Sequence, residues 1–107
     1  MAPQPLVVLT TLGTEDQARR LVGELVRTRV VACGTLLPGA TSVYRWEGAI
    51  KEEAEVVVLL KTDATRWDEL VAAVNRVHPY AVPELLALPV EHGLERYVAW
   101  MTGEVRA

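Results

Sequence analysis

What this sequence has little of narrows its chemistry before any motif is read. It contains a single cysteine, Cys33, so no internal disulfide can form, which agrees with a reducing compartment. Basic runs are missing and the net charge is −3. A protein that holds phosphates by counterion release needs clustered Lys and Arg, so nucleic acid is not an expected partner. No strictly apolar stretch is longer than the five residues Val56 to Leu60, far short of the roughly 20 that a membrane-spanning helix needs. Met1 to Pro5 carry neither basic residues nor an apolar run, so no targeting peptide is read there and a soluble, cytoplasmic protein is expected. Repeats, low-complexity tracts and Gly/Ser linkers are also missing. The chain of 107 residues is therefore expected to form one domain, burying about two thirds of the surface its unfolded form exposes.

What is present is punctuated by Pro and Gly at the joints between periodic segments. Leu6 to Thr11 is a β-branched apolar run, predicted as a central strand buried on both faces. Thr14, Glu15, Asp16 and Gln17 match a capping box. Ala18, Leu21, Val22, Leu25 and Val26 then repeat with helical spacing, opposite Arg19, Arg20, Glu24 and Arg27. Val30 to Trp46 reads as a long strand bent by a bulge at Pro38-Gly39, with Ser42, Tyr44 and Trp46 on one side and Val43 and Arg45 on the other. Glu47-Gly48 is a turn, and Ile50 to Lys61 brings the chain back, completing a long hairpin. Thr62 or Asp63 can cap a second helix whose apolar residues Trp67, Leu70, Val71, Val74 and Val77 run until His78-Pro79 stops it. Glu84 to Val90 is a last strand, and Pro89 inside it argues that at least that end lies at an edge or leaves the sheet. Leu94, Tyr97, Val98 and Met101 lie on one face of a short closing helix.

The order β-α-β-β-α-β-α predicts an α+β, ferredoxin-like (split β-α-β) fold: an antiparallel sheet with both main helices on one face. One sheet face and both edges stay uncovered, and an apolar hairpin this long invites pairing with other subunits. Three familiar uses of this fold are disfavoured. A copper metallochaperone needs paired cysteines after the first strand, where Leu12-Gly13-Thr14-Glu15 has none. An acylphosphatase-like site needs an Arg there, and Glu15 and Asp16 would repel the anion. RNA-recognition strands carry stacking aromatics, which LVVLTT and VVVLL lack.

Three blocks remain: Ala32-Cys33 with Pro38-Gly39 and then Ser42 to Gly48; His78-Pro79-Tyr80-Ala81-Val82-Pro83-Glu84; and Ala87-Leu88-Pro89-Val90 with Tyr97 and Trp100. Together with Val7 to Thr11 they resemble the CutA divalent-cation tolerance family over nearly the whole chain. Gly13 and Gly34-Thr35 depart from the family's frequent Pro and Val-Asn. The resemblance implies a homotrimer, similar in outline to PII signalling trimers, that binds divalent metal ions, copper above all, with no organic cofactor and no implied reaction.

Residue by residue, two readings stand side by side. Cys33 is the one soft ligand, suited to copper, or a small buried hydrophobe. His78 offers imidazole to a metal, or caps the second helix. Cys33 and His78 together are too few for a closed tetrahedral site, so any tight site borrows ligands across a subunit boundary or uses carboxylates and water. As a nucleophile and base the same pair lacks an orienting third group, so the chain is not expected to be an enzyme. Tyr44, Arg45, Trp46, Tyr80 and Glu84 line a ligand-binding cleft between subunits, or pack in an interface. Glu52, Glu53 and Glu55 form a solvated outer face that discourages stray pairing, or hold a hard cation. Trp67 and Trp100 are read as core.

Overall fold

A computed structural model of the protein describes residues 3–106; of the segment read for targeting signals, Met1 and Ala2 lie outside the described residues. Strand β1 (Pro5–Leu12) leads into helix α1 (Glu15–Arg27), strands β2 (Cys33–Trp46) and β3 (Ala49–Asp63) form the long hairpin, and a 3-10 turn (Ala64–Arg66) precedes α2 (Trp67–Val77). The short β4 (Leu86–Pro89) and α3 (Glu95–Glu104) complete the order. The sheet runs β2-β3-β1-β4 with every pair antiparallel, which is the split β-α-β arrangement. No helix among the described residues is long and apolar enough to cross a membrane.

Strand alternation determines which side chains meet the helices. Leu6, Val8, Thr10 and Leu12 of β1 pair with Thr62, Leu60, Val58 and Val56 of β3, and all eight are buried. Leu21 and Leu25 of α1 and Leu70 and Val74 of α2 pack on this face to form the main core. Burying one such leucine is worth about 1.5–3 kcal/mol. Gly34 lets α1 approach this closely: a Cβ there would lie 2.7 Å from Val22 Cγ1 and 3.1 Å from Leu60 Cδ2.

The opposite face is different. Residues Val7, Leu9, Val57 and Leu59 are only half-buried, so β1 is central by position yet covered on one side, not on both as expected. Leu37, Leu86 and Leu88 beside them are 47%, 57% and 50% exposed. Among the described residues there is no second pair of helices to lay over this face. α3 touches it at the corner where Tyr97 meets Cys33.

Local chemistry explains where the elements begin and end, and where they differ from expectation. Thr14 caps α1 by accepting the Gln17 N–H at 3.1 Å, worth about 1 kcal/mol. The return half of the capping box does not form, and Gln17 Oε1 has no partner within the described chain. Val26 is exposed instead of joining the buried stripe. After α1, Arg29 takes a left-handed φ of 62°, and the Val30 and Val31 N–H groups turn back to the Leu25 carbonyl. Val30 to Ala32 are therefore a buried loop, and β2 begins only at Cys33. Asp63 caps the 3-10 turn through the Thr65 N–H, so α2 starts four residues after its expected cap. α2 ends where His78 becomes extended ahead of Pro79. β4 is shorter than the predicted strand and sits at the sheet edge, with Pro89 at its end.

In the hairpin, Leu37 pairs with Val57 but Ala40 pairs with Glu55. Three steps along β2 match two along β3, so the bulge at Pro38-Gly39 inserts one residue. Ala40, Ser42, Tyr44 and Trp46 thereby share a face with Glu55, Glu53 and Lys51. The tip is a two-residue turn in which Glu47 and Gly48 both have positive φ, 51° and 80°, the geometry that matches strand twist.

α3 forms a small second core through Met101 and Val105 against Ala32. Its C-terminal end is tied down by Arg106, whose guanidinium pairs with the fully buried Asp63 at 2.7 Å. Trp67 packs against the main core as expected, but Trp100 does not. It lies outward, with its ring 5.5 Å from that of Tyr97, because Met101 and Val98 fill the side of α3 that faces the chain.

Candidate functional site

At the foot of the hairpin the segment 78–84 crosses the uncovered sheet face and leaves a cleft of about 610 Å³ against the strands. Tyr44, Trp46, Lys51, Glu53 and Glu55 come from the hairpin, Thr11 from β1, and Tyr80, Val82 and Glu84 from the crossing segment. The cleft is built from one chain's own residues. Of the five side chains expected around a cleft, Tyr44, Trp46, Tyr80 and Glu84 line it. Arg45 does not, because the alternation that brings Tyr44 and Trp46 in sends it to the other side, in register with Ile50.

Glu53 and Glu55, read from the sequence as part of a solvated outer face or as ligands of a hard cation, also line the cleft. Glu52 and Glu53 do stay exposed. Glu55 is only 9% exposed and accepts the Tyr80 hydroxyl at 2.7 Å, while Glu53 accepts the Tyr44 hydroxyl at 2.8 Å. The signal was available: a two-residue turn at Glu47-Gly48 forces Ser42 opposite Glu53 and Tyr44 opposite Lys51, which assigns Glu53 and Glu55 to the aromatic face. Burial pushes the Glu55 carboxyl up, but hydroxyls of Ser42, Tyr80 and Thr11, with a contribution from His78, outweigh it and hold the group below the ordinary glutamate value. Burial and the bond to Glu55 raise the Tyr80 phenol strongly. The bond to Glu53 raises Tyr44. The Glu55 carboxylate therefore stays charged, and both phenols stay protonated, at neutral pH.

His78 anchors the crossing segment. Its Nε2 donates to the Thr11 carbonyl at 2.9 Å, and its Nδ1 accepts the Tyr80 N–H at 3.1 Å. The latter bond places the ring proton on Nε2. The ring also meets the Tyr80 ring edge-on at 4.8 Å. Its cap contact with α2 is made by the backbone N–H, to the Val74 carbonyl; the imidazole reaches β1 instead. Burial lowers the His78 pKa, opposed by the Thr11 carbonyl and Glu55. Both ring nitrogens are thus already engaged within the chain.

Cys33 is half-buried at the other end of the sheet, with Sγ 3.5 Å from the Tyr97 hydroxyl. That bond, then burial, raises the Tyr97 phenol. Cys33 pairs across to Lys61, and Lys61 to Val7, four residues along β1 from the Thr11 that holds His78. Four residues of strand span about 13 Å, so Cys33 and His78 form neither a shared ligand set nor a nucleophile–base pair in one chain. Among the described residues no three His, Cys, Asp or Glu side chains are placed to hold a metal ion.

Fold and site define an α+β chain with an uncovered apolar sheet face and a cleft of carboxylates and aromatics beside it. Residues 6–104 match the family model described as CutA1 divalent ion tolerance protein. The divalent-cation tolerance protein CutA of Salmonella newport (strain SL254) is 42% identical over 104 residues, 97% of this chain and 90% of that protein. Among solved structures, the divalent cation tolerance protein (Cut A1) of Thermus thermophilus superposes with a TM-score of 0.91 at 39% identity, covering 94% of this chain and 97% of that one. CutA1 of Oryza sativa superposes with a TM-score of 0.94 at 34% identity, covering 97% and 95%. The chain belongs to the CutA1 divalent ion tolerance family.

Proposed function

We propose that the protein works as a homotrimer that binds divalent cations, copper foremost, and in this way supports cation tolerance. The observation that carries this reading is the sheet face opposite α1 and α2. Leucines and valines of all four strands are left bare or half-bare there, on a chain whose other face is packed. Exposed apolar surface of this kind marks an association site, and the sheet edges offer unpaired backbone groups. Because no complete donor set lies among the described residues of one chain, the cation site is completed where subunits meet. Cys33, half-buried beside that face, is the soft donor suited to copper. His78 serves as a ligand only by giving up the Tyr80 N–H or the Thr11 carbonyl, so Cys33 is the stronger assignment. Native mass spectrometry of metal-stripped protein titrated with copper tests both halves. Three chains taking up a small whole number of ions, with at least tenfold weaker uptake (about 1.4 kcal/mol) in Cys33→Ala, is the expected result; a monomer, or a trimer without saturable uptake, refutes it.

A second reading is favoured by the cleft itself: a PII-like signalling or scaffold trimer that binds a small molecule there and meets metal incidentally. Concave sites with a few convergent polar groups among aromatics are where small ligands bind. A thermal-shift screen of metabolites separates the two readings, because a ligand of the native state raises the melting temperature.

A further inference from the structure

Resting on the cleft reading, we infer that the cleft binds a small organic cation: an ammonium group carried on an apolar body. Three carboxylates, Glu53, Glu55 and Glu84, face one ammonium, that of Lys51, along its walls. The local field therefore favours a positive ligand and repels phosphate or carboxylate. The aromatic groups add a second, independent preference. Tyr44 and Tyr80 give their hydroxyl protons to Glu53 and Glu55, so they offer a ligand their rings rather than hydrogen-bond donors. Trp46 is 45% exposed and belongs to the same lining. Cations bind over the faces of such rings, tryptophan best, and ammonium ligands are the usual beneficiaries. A bare divalent ion is the competing positive ligand, but it needs several donors converging on one point. Among the described residues no three acidic, His or Cys side chains do so. An organic cation needs no such convergence, and a cleft of about 610 Å³ falls within the size range of small-molecule sites. Val82, 71% exposed and part of the same lining, supplies an apolar wall for the body of the ligand.

Choline, its uncharged carbon isostere 3,3-dimethylbutan-1-ol, and inorganic phosphate, each titrated into the assembled full-length protein, test this. The readout is the NMR shift of the Trp46 indole N–H, assigned with Trp46→Phe. Choline is expected to shift it saturably, the alcohol at least tenfold more weakly, and phosphate not at all. Glu53→Gln is expected to weaken choline binding at least tenfold with an unchanged melting temperature; if that variant does not fold, Trp46→Leu is expected to weaken choline to the same degree. Equal binding of choline and the alcohol, or tighter binding of phosphate, overturns the organic cation while leaving a small-molecule cleft in place. No response to any of the three, as when a neighbouring subunit fills the cleft, overturns both.

Discussion

Replacing Tyr80 with Phe removes one hydroxyl from beneath the crossing segment and nothing else. That hydroxyl donates at 2.7 Å to Glu55, a carboxylate that is 9% exposed. A hydrogen bond to a charged group contributes about 1.5–3 kcal/mol. Donors from Ser42 and Thr11 remain, so about 2 kcal/mol of destabilisation is expected, a fall in melting temperature of roughly 8–16 °C. The cost must also depend on pH. Glu55 has a folded-state pKa below its unfolded value, so the stability it contributes is fully present above about pH 4.3 and is lost as pH falls through the folded value. Tyr80→Phe should therefore cost most at neutral pH and shrink toward the value of a neutral hydrogen bond, about 1 kcal/mol, in acid. Denaturant melts at one protein concentration, at pH 7 and again near pH 3, measure this directly, with concentration held because assembly shifts apparent stability. Glu55→Gln and the double variant complete a cycle in which a coupling of about 1–2 kcal/mol is expected at pH 7. A cost below about 0.5 kcal/mol at neutral pH, the size of an ordinary surface substitution, or one no larger there than in acid, would show that Tyr80 does not stabilise a buried carboxylate.

Other outcomes follow from the same structure. His78 has a folded-state pKa below the ordinary 6.5, so the stability it contributes is present above about pH 6.5 and declines as pH falls toward the folded value; NMR titration of its ring should give a midpoint under 6.5. Arg106→Ala leaves the buried Asp63 with only its Thr65 partners and should cost about 1–3 kcal/mol, with amide exchange accelerating in α3 before the main core. Gly34→Val drives a side chain into Val22 and Leu60, and calorimetry should show an overpacking loss of about 1–3 kcal/mol or more. Leu59→Arg, on the uncovered face, should leave the circular dichroism of the chain native-like while size-exclusion chromatography reports loss of the proposed trimer; a trimer that persists would place the interface elsewhere.

Periodicity alone determined most of this architecture. The 3.6-residue stripes of α1 and α2, the apolar runs of β1 and β3, the bulge at Pro38-Gly39 and the edge position of Pro89 are each dictated by local geometry, and β-α-β-β-α-β order leaves few ways to pack them. The blocks around Cys33, Trp46 and Tyr80 carried the family resemblance for the same reason: they are contiguous in the chain. Tertiary structure decided what depends on partners far apart in sequence. Glu55 reads as one more surface acid beside Glu52 and Glu53 until Tyr80, 25 residues away, is laid across it. His78 reads as an available imidazole until the Thr11 carbonyl, 67 residues away, claims its Nε2. Trp100 sits beside a helical stripe and reads as core, yet the side it occupies faces outward. Burial and hydrogen bonding belong to pairs of residues, and local spacing specifies a pair only when a tight turn such as Glu47-Gly48 sets the register between them.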